Sequence, residues 1–334
     1  MRDAPATDGR AAAEAADGRK AASGAAQGGA AQAGADALRA IRDEIDRIDL
    51  QLCDLMRQRT ALSDQVAAAK RAQGNSRPIR PAREAQIVRE MVGRLSDEVP
   101  VVSTARIWHE LIAGAIAAHQ GGLTVLVHDN GLWELSRERF GSASSLELCP
   151  DMPVVLRRLR ENLRTVAVMP LAADDDPEPW WARMIDVDGP QPRVIARLPF
   201  VSAHARRPST QLHEAPGAVA VAAGAEPEPS GDDMTLLIVE YGRDYSRASV
   251  VEGMRQQGWT VRDLMSWRAP DTSPVNRTLV ELAGFVGVDD PGLGRVRDAA
   301  RGHVHRIVHF GGYPAPLGAK PAAPRSVEAA GTAS

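Results

Sequence analysis

Cationic side chains lie on and beside an apolar helical seam near the start of this sequence. The seam advances by alternating steps of three and four residues through Leu38, Ile41, Ile45, Ile48, Leu52, Leu55, Arg59, Leu62, Val66 and Ala69. Arg59 occupies a position where the pattern calls for leucine, and an unpaired buried guanidinium is very costly. An anion must therefore meet Arg59. A carboxylate of the protein and a bound anionic ligand both satisfy this requirement.

Further cationic residues favour a bound anionic ligand as the partner of Arg59. Arg42 and Lys70 each follow a seam position by one residue, and the motif RPIRPARE at residues 77–84 holds three arginines before Glu84. The planar fork of arginine binds carboxylates through two parallel hydrogen bonds. Together these residues indicate a pocket for a small dicarboxylate.

The seam belongs to a long helix. Neither proline nor glycine interrupts the sequence between Leu38 and Gly74. A helix of about 35 residues is roughly 50 Å long, since each residue adds about 1.5 Å. Such a rod is too long for one compact domain, so we expect an extended bundle or an intertwined dimer.

Differences in composition along the chain predict its division into ordered domains and unstructured segments. Residues 1–35 are rich in alanine and glycine and predict a disordered leader, because they offer little apolar surface to bury. Residues 36–121 are helical in pattern. Residues 122–202 and 233–316 alternate strand-like and helical runs, which predicts two small α/β modules. Residues 203–232, with several prolines, predict a linker, and residues 317–334 a disordered tail.

Composition excludes several classes of protein. The 334 residues carry a formal net charge of −3, which argues against a general nucleic-acid or membrane-surface binder. No apolar run approaches the roughly 20 residues that cross a bilayer. The two cysteines, Cys53 and Cys149, form no CxxC pair, so a disulfide framework or zinc ribbon is not expected. We expect a cytoplasmic protein.

Three stretches carry a resemblance to a known family. IRDEIDRIDLQLCDLMRQRTALSDQVAAAK, then PIRPARE, then IWHELIAGAIAAHQ resemble the all-helical chorismate mutases (AroQ type). The resemblance implies a three-helix bundle at residues 36–121, an intertwined homodimer, and chorismate and prephenate as substrate and product. It implies no metal or other cofactor.

The resemblance also implies roles for individual residues. Arg42, donated by the partner subunit, and Arg59 would hold the side-chain carboxylate of chorismate, and Arg83 would help to bind the dianion. Lys70 and Gln120 would donate hydrogen bonds to the ether oxygen, and Glu84 would position the ring hydroxyl. Counting from Trp108 places His119 at the position that we assign to Gln120, so both stay open.

Two departures from the family pattern concern substrate contacts. The motif RPIRPARE is one residue shorter than the family's and lacks an acidic residue before Arg83. Ala115 stands where the third helix usually has a small hydroxyl residue. Neither departure removes one of the main cations.

The C-terminal two-thirds resemble, more weakly, prephenate dehydratase and ACT modules. HFGGYP and LMSWRAP lie where ACT domains have similar motifs, but VAVMPLAADDDP and ARLPFV replace the dehydratase motifs. We therefore expect a degenerate dehydratase-like lobe without that activity, followed by an ACT-like α+β module. An aromatic amino-acid effector could bind at this C-terminal module.

The expected protein is thus multidomain, with an all-α mutase bundle followed by small α/β and ACT-like modules. Its expected function is the rearrangement of chorismate to prephenate in aromatic amino-acid biosynthesis. Two alternatives stay open: an isochorismate pyruvate-lyase on the same bundle, and a non-catalytic, mutase-like dimer with a regulatory or binding role.

Overall fold

A computed structural model describes residues 9–72, 79–173, 176–186, 189–201, 217–267 and 275–318. The chain separates into two compact units, a first unit of residues 1–66 and a second unit of residues 67–334. This boundary differs from the boundary after residue 121 that the sequence predicts. Within the described ranges, no helix is both long and apolar enough to cross a bilayer.

Helix α1, Gly9–Ala72, supplies the whole of the first unit that the structure describes. It begins far upstream of the predicted start, so the prediction of a disordered leader is wrong from Gly9 onward. Alanine has the highest intrinsic helix propensity, and an alanine-rich stretch extends a stable helix even without apolar surface to bury. Residues 1–8 lie outside the described part of the chain.

The apolar seam of α1 faces solvent within the single chain. Its side chains are between 43% and 60% exposed, namely Leu38, Ile41, Ile45, Ile48, Leu52, Leu55, Leu62 and Val66. A contiguous apolar stripe of this kind marks an interaction surface. The seam period is that of helices that pack against other helices.

Helices α2, Pro81–Leu95, and α3, Val101–Gln120, belong to the second unit. α2 begins with proline at its first turn, where the missing N–H costs no hydrogen bond. α3 ends at Gly121, which adopts a left-handed conformation with φ of +81°. Buried Val88 and Val92 of α2 pack with Phe200 and Val201. The second helix of the predicted bundle is therefore docked on the α/β region, which explains why the predicted boundary fails.

The α/β region alternates strands and helices along the chain. The strands are β1 Thr124–Val127, β2 Ser145–Leu148, β3 Thr165–Pro170, β4 Pro192–Leu198, β5 Ala218–Ala223, β6 Asp233–Gly242, β7 Thr260–Trp267, β8 Val275–Ala283 and β9 Val304–Pro314. The helices are α4 Trp133–Phe140, α5 Met152–Glu161, α6 Trp180–Arg183, α7 Arg247–Gln256 and α8 Pro291–Ala299. Within the described residues, the strands form one mixed sheet in the order β2-β1-β3-β5-β4-β9-β6-β8-β7.

The first half of the sheet contains a strand that the sequence does not predict. β1 pairs in parallel with β2 and β3, and β5 lies antiparallel between β3 and β4. β5 lies inside residues 203–232, so the predicted linker is wrong at Ala218–Ala223. Its sequence AVAVAA is buried throughout. A strand that is buried on both faces does not alternate polar and apolar residues, so its sequence lacks the pattern by which strands are predicted. A short run of alanine and valine is therefore easily mistaken for a low-complexity linker.

The second half of the sheet follows a split βαβ pattern. β6, α7, β7, β8, α8 and β9 succeed one another, and the strands lie in the order β9-β6-β8-β7. The assignment of this half as ACT-like stays a prediction, as does the disordered tail, of which residues 319–334 lie outside the described ranges.

The halves join where β4 and β9 run parallel, with Val194 opposite Gly311. Gly311 has φ of +102°, and a Cβ there would lie 2.2 Å from the Val194 carbonyl oxygen. Only glycine allows this approach. The two predicted modules are therefore parts of one continuous sheet.

Candidate active site

Two of the predicted site residues, Arg42 and Arg59, lie on α1 in the first unit. Arg42 is exposed, whereas Arg59 is half-buried among the exposed leucines and valines of the seam. Leu52, Arg59 and Val66 are seven residues apart, so they line one face of the helix. Arg59 is thus a cation set within an apolar stripe, as the spacing predicts.

Lys70 and Gln120 lie at helix ends in the second unit. Lys70 is in the last turn of α1, and Gln120 is the last residue of α3. The side chains of Lys70, His119 and Gln120 lie outside the described part of the structure. The choice between His119 and Gln120 is therefore still open.

Arg83 and Glu84 are neighbours on α2 with opposite environments. Arg83 is exposed, whereas Glu84 is only 6% exposed. Oε1 of Glu84 accepts a hydrogen bond from the backbone N–H of Arg80 at 3.1 Å, which caps the start of α2. Oε2 accepts one from Nη2 of Arg139 at 2.7 Å. Glu84 therefore has a buried ion-pair partner on α4, which the sequence does not predict.

His109 of α3 completes this buried polar group. Its side chain lies edge-on to Phe200, with ring centroids 6.2 Å apart. Burial, together with the positive charge of Arg139, lowers the pKa of His109 to about 3, so the imidazole is neutral near pH 7. Nδ1 of His109 has no hydrogen-bond partner among the described residues.

We call Glu84, His109 and Arg139 the buried triad. Its one acid and one base neutralise each other, and the neutral imidazole adds no third charge. A carboxylate has about four lone-pair sites, and Glu84 uses two of them in the bonds above. Glu84 can therefore accept a further hydrogen bond from a hydroxyl group. His109 lies within the stretch IWHELIAGAIAAHQ. Its position in an otherwise apolar run is the sequence feature that could have identified it as a buried polar residue.

A second group of polar residues lines a cavity of about 110 Å³ where β4 and β5 meet β6 and β9. Arg193 donates a hydrogen bond to the Ala225 carbonyl at 2.9 Å. At the rim, Arg80 and Glu228 form an ion pair of 3.0 Å. The remaining wall includes the apolar side chains of Met234 and Phe285. The cavity therefore presents both charges beside an apolar surface.

A partly buried chain of polar groups links the two halves of the sheet near this cavity. Nη1 of Arg197 on β4 donates to the Tyr313 hydroxyl on β9 at 3.2 Å, and that hydroxyl donates to Glu281 on β8. Burial raises the pKa of Glu281, although Tyr313 and Arg197 both favour its charged form. These contacts tie β4 to the split βαβ half.

Within the ranges that the structure describes, no group of three or more His, Cys, Asp or Glu residues is arranged to hold a metal ion. The described site chemistry is that of arginine, carboxylate and neutral imidazole.

Solved structures of other proteins show a distant similarity. A prephenate dehydratase from Arthrobacter aurescens, in complex with L-Phe, has 14% identity and a TM-score of 0.43, covering 61% of this chain and 94% of its own. One from Staphylococcus aureus subsp. aureus Mu50 has 8% identity and a TM-score of 0.40, covering 57% and 99%. GqqA, a quorum-quenching acylase, has 14% identity and a TM-score of 0.41, covering 58% and 95%. At such TM-scores the similarity carries no argument about function.

Comparison with curated proteins gives no match. A family model described as chorismate mutase type II matches residues 41–120. This match covers α2, α3 and the seam of α1 from Ile41, including all six predicted site residues. It confirms the resemblance found in the sequence: residues 41–120 are similar to the chorismate mutase type II family.

Proposed function

We propose that the protein is a chorismate mutase that converts chorismate to prephenate in aromatic amino-acid biosynthesis. The observation that carries the proposal is the half-buried Arg59 within the apolar seam of α1, inside the matched residues 41–120. Chorismate is a dianion, and the guanidinium of Arg59 can bind a carboxylate through two parallel hydrogen bonds.

The proposed reaction requires that the enzyme orient the reacting carbons of chorismate and stabilise the negative charge that develops on its ether oxygen. The rearrangement breaks one C–O bond and forms one C–C bond within a single molecule, so no proton or redox equivalent is exchanged. Arg59 and Arg42 hold the side-chain carboxylate, and Arg83 assists in binding the dianion. This fixes the reacting carbons near each other.

Stabilisation of the transition state falls to the remaining residues. Negative charge grows on the ether oxygen as its bond to the ring breaks. Lys70 and Gln120 donate hydrogen bonds to that oxygen, with His119 as the alternative to Gln120. Glu84 accepts a hydrogen bond from the ring hydroxyl through a lone pair that Arg80 and Arg139 leave open.

The proposed active form is a homodimer. The exposed seam of α1 has the period of a helix-packing surface, and the same seam on a second chain is chemically complementary to it. In the proposed dimer, the partner subunit contributes Arg42 to the site.

Substitution of Arg59 tests the activity. Arg59→Ala is expected to lower kcat/KM for chorismate about 100-fold, because hydrogen bonds to charged groups contribute about 1.5–3 kcal/mol. Arg57→Ala is the matched control, since Arg57 lies on the same helix in an exposed ion pair with Asp54. The measurement is the loss of chorismate absorbance, with circular dichroism as a check on folding.

The same assay separates the alternatives. Isochorismate is supplied in a parallel reaction, and pyruvate release would identify a pyruvate-lyase. A wild-type protein that is inert towards both substrates at high concentration would overturn the enzymatic proposal and favour a non-catalytic, mutase-like dimer.

We also propose that an aromatic amino acid, phenylalanine or tyrosine, binds as an effector in the 110 Å³ cavity. Its ring would lie against Met234 and Phe285, its carboxylate near Arg193, and its ammonium near Glu228. These contacts match the charges of a zwitterion with an apolar side chain.

Thermal unfolding with added phenylalanine or tyrosine tests this site. A ligand at ten times its Kd stabilises the folded state by about 1.4 kcal/mol, or about 2 °C in Tm for a chain of this length. Arg193→Gln is expected to abolish the shift, whereas Arg295→Gln, at an exposed position that pairs with Gln257, is expected to retain it. Equal shifts in both variants would place the ligand elsewhere.

A further inference from the structure

Arg139 reaches from the α/β region into the matched mutase segment. It lies on α4, beyond residue 120, where the family match ends. Its guanidinium contacts Glu84 of α2 at 2.7 Å, across 55 positions of sequence. Both side chains are about nine-tenths buried. The contact is therefore part of the interior and is shielded from solvent.

Arg139 is itself held in place. The centre of its guanidinium lies 5.3 Å from the centroid of the Phe140 ring, within the range of a cation–π contact. His109 is next to the pair and stays neutral near pH 7, so it does not compete with Arg139 for the carboxylate. Glu84 thus has one charged partner among the buried triad.

We propose that Arg139 is a positioning residue for the mutase reaction, fixing the Glu84 carboxylate in the orientation that receives the substrate's ring hydroxyl. This inference rests on the proposed function, in which Glu84 meets that hydroxyl. It makes the α/β region a structural part of the mutase site, because the residue that orients Glu84 comes from α4.

The physical reason is the cost of an unpaired buried charge. Without the guanidinium, Glu84 would lose its partner in a site that excludes water, and the carboxylate would take up a proton or turn towards solvent. Protonation and reorientation would each leave the ring hydroxyl of the substrate without a correctly oriented carboxylate acceptor. Lysine preserves the charge but offers a single point contact in place of the arginine fork, so it restores the pair only partly.

The test uses Arg139→Gln, Arg139→Lys and Glu84→Gln in the full-length protein, with kcat, KM and Tm measured for each. Arg139→Gln is expected to lower kcat at least tenfold, and Arg139→Lys to recover part of the loss. The matched control is Arg106→Gln, which breaks the ion pair between the exposed Arg106 of α3 and Glu138 of α4 and should leave kcat unchanged.

The double variant Glu84→Gln/Arg139→Gln supplies a readout that a merely structural role would not move. It removes the acid together with its partner, so it should fold even if Arg139→Gln does not. Its kcat is expected to equal that of Glu84→Gln alone, since Arg139 acts through Glu84.

The outcomes separate the two proposals. A wild-type protein without chorismate turnover overturns the proposed function and this inference with it. An active wild type whose Arg139→Gln variant keeps its kcat overturns only the positioning role. A double variant slower than Glu84→Gln alone also overturns it, because Arg139 would then act by another route.

Discussion

At the scale of single residues, the positive charge of Arg139 affects both of its neighbours in the buried triad, Glu84 and His109. Glu84 is buried with Arg139, and their charges compensate. His109 beside them stays neutral because both burial and Arg139 disfavour its protonated form. The buried triad therefore holds three titratable side chains with one charge pair among them.

His109 should make stability depend on pH. Its folded-state pKa is lowered from 6.5 to about 3, so below pH 6.5 the unfolded chain binds a proton that the folded chain does not. The stabilisation is fully present above pH 6.5 and is lost as the pH falls towards 3. Within that window, the free energy of unfolding should decrease by up to about 1.4 kcal/mol per pH unit.

Urea unfolding at pH 7.5, 6 and 5 checks this expectation against His109→Gln, which keeps a polar side chain but removes the titrating group. The difference in free energy between wild type and variant should shrink as the pH falls. Gln256→Ala, which removes an uncharged side chain at an exposed position, is the control and should show a constant difference. A constant difference for His109→Gln as well would contradict the lowered pKa.

At the scale of elements, α1 combines a helix that the sequence predicts well with a row of exposed apolar side chains. Periodicity alone predicts the helix and the unusual position of Arg59, because a seam of threes and fours is a local property. Where α1 begins is not predicted, since the alanine-rich stretch has helix propensity without an amphipathic pattern.

A lysine in the seam should weaken the proposed dimer. Leu52→Lys places a charge in the centre of the stripe in both copies. Loss of two buried leucines, at about 1.5 kcal/mol or more each, predicts a dimer dissociation constant at least about 100-fold higher. Leu50→Lys is the control, because Leu50 lies off the seam and is 69% exposed. Sedimentation equilibrium measures both, and a monomeric wild type would refute the proposed dimer.

At the scale of the whole molecule, helix α2 and the α/β region share an interior within the second unit. Arg89 of α2 donates hydrogen bonds to the carbonyls of Ser230, Asp232 and Ala315 at 2.7–3.3 Å. Val88 and Val92 are covered by Phe200 and Val201. The packing of α2 therefore depends on residues far along the chain.

A chain that ends at Gly121 should be unstable for this reason. It would expose Val88 and Val92 and leave Glu84 without Arg139, which together cost several kcal/mol. We expect a lower Tm and a lower chorismate turnover per chain than for the full protein. A chain that ends at Gly318 keeps every described contact and serves as the control. Equal Tm values for the two chains would show that the mutase segment folds independently.

Local features of the fold and of the candidate site can be predicted from the sequence, whereas features that depend on tertiary contacts cannot. The cations around the seam and the alternation of the α/β regions could be predicted because each has a repeating pattern. β5 could not, since a strand of alanine and valine lacks polar alternation. The contact between Arg139 and Glu84 could not either, because no periodicity relates side chains 55 positions apart.

The join between β4 and β9 has a consequence for biosynthesis. β9 is the last strand of the described sheet along the chain, yet it occupies a position inside the sheet. During translation, the first half of the sheet therefore emerges from the ribosome with the β4 edge unpaired, and it waits for residues 304–314. Exposed edges of this kind associate with other chains, so the nascent protein should depend on chaperones until its final strand arrives.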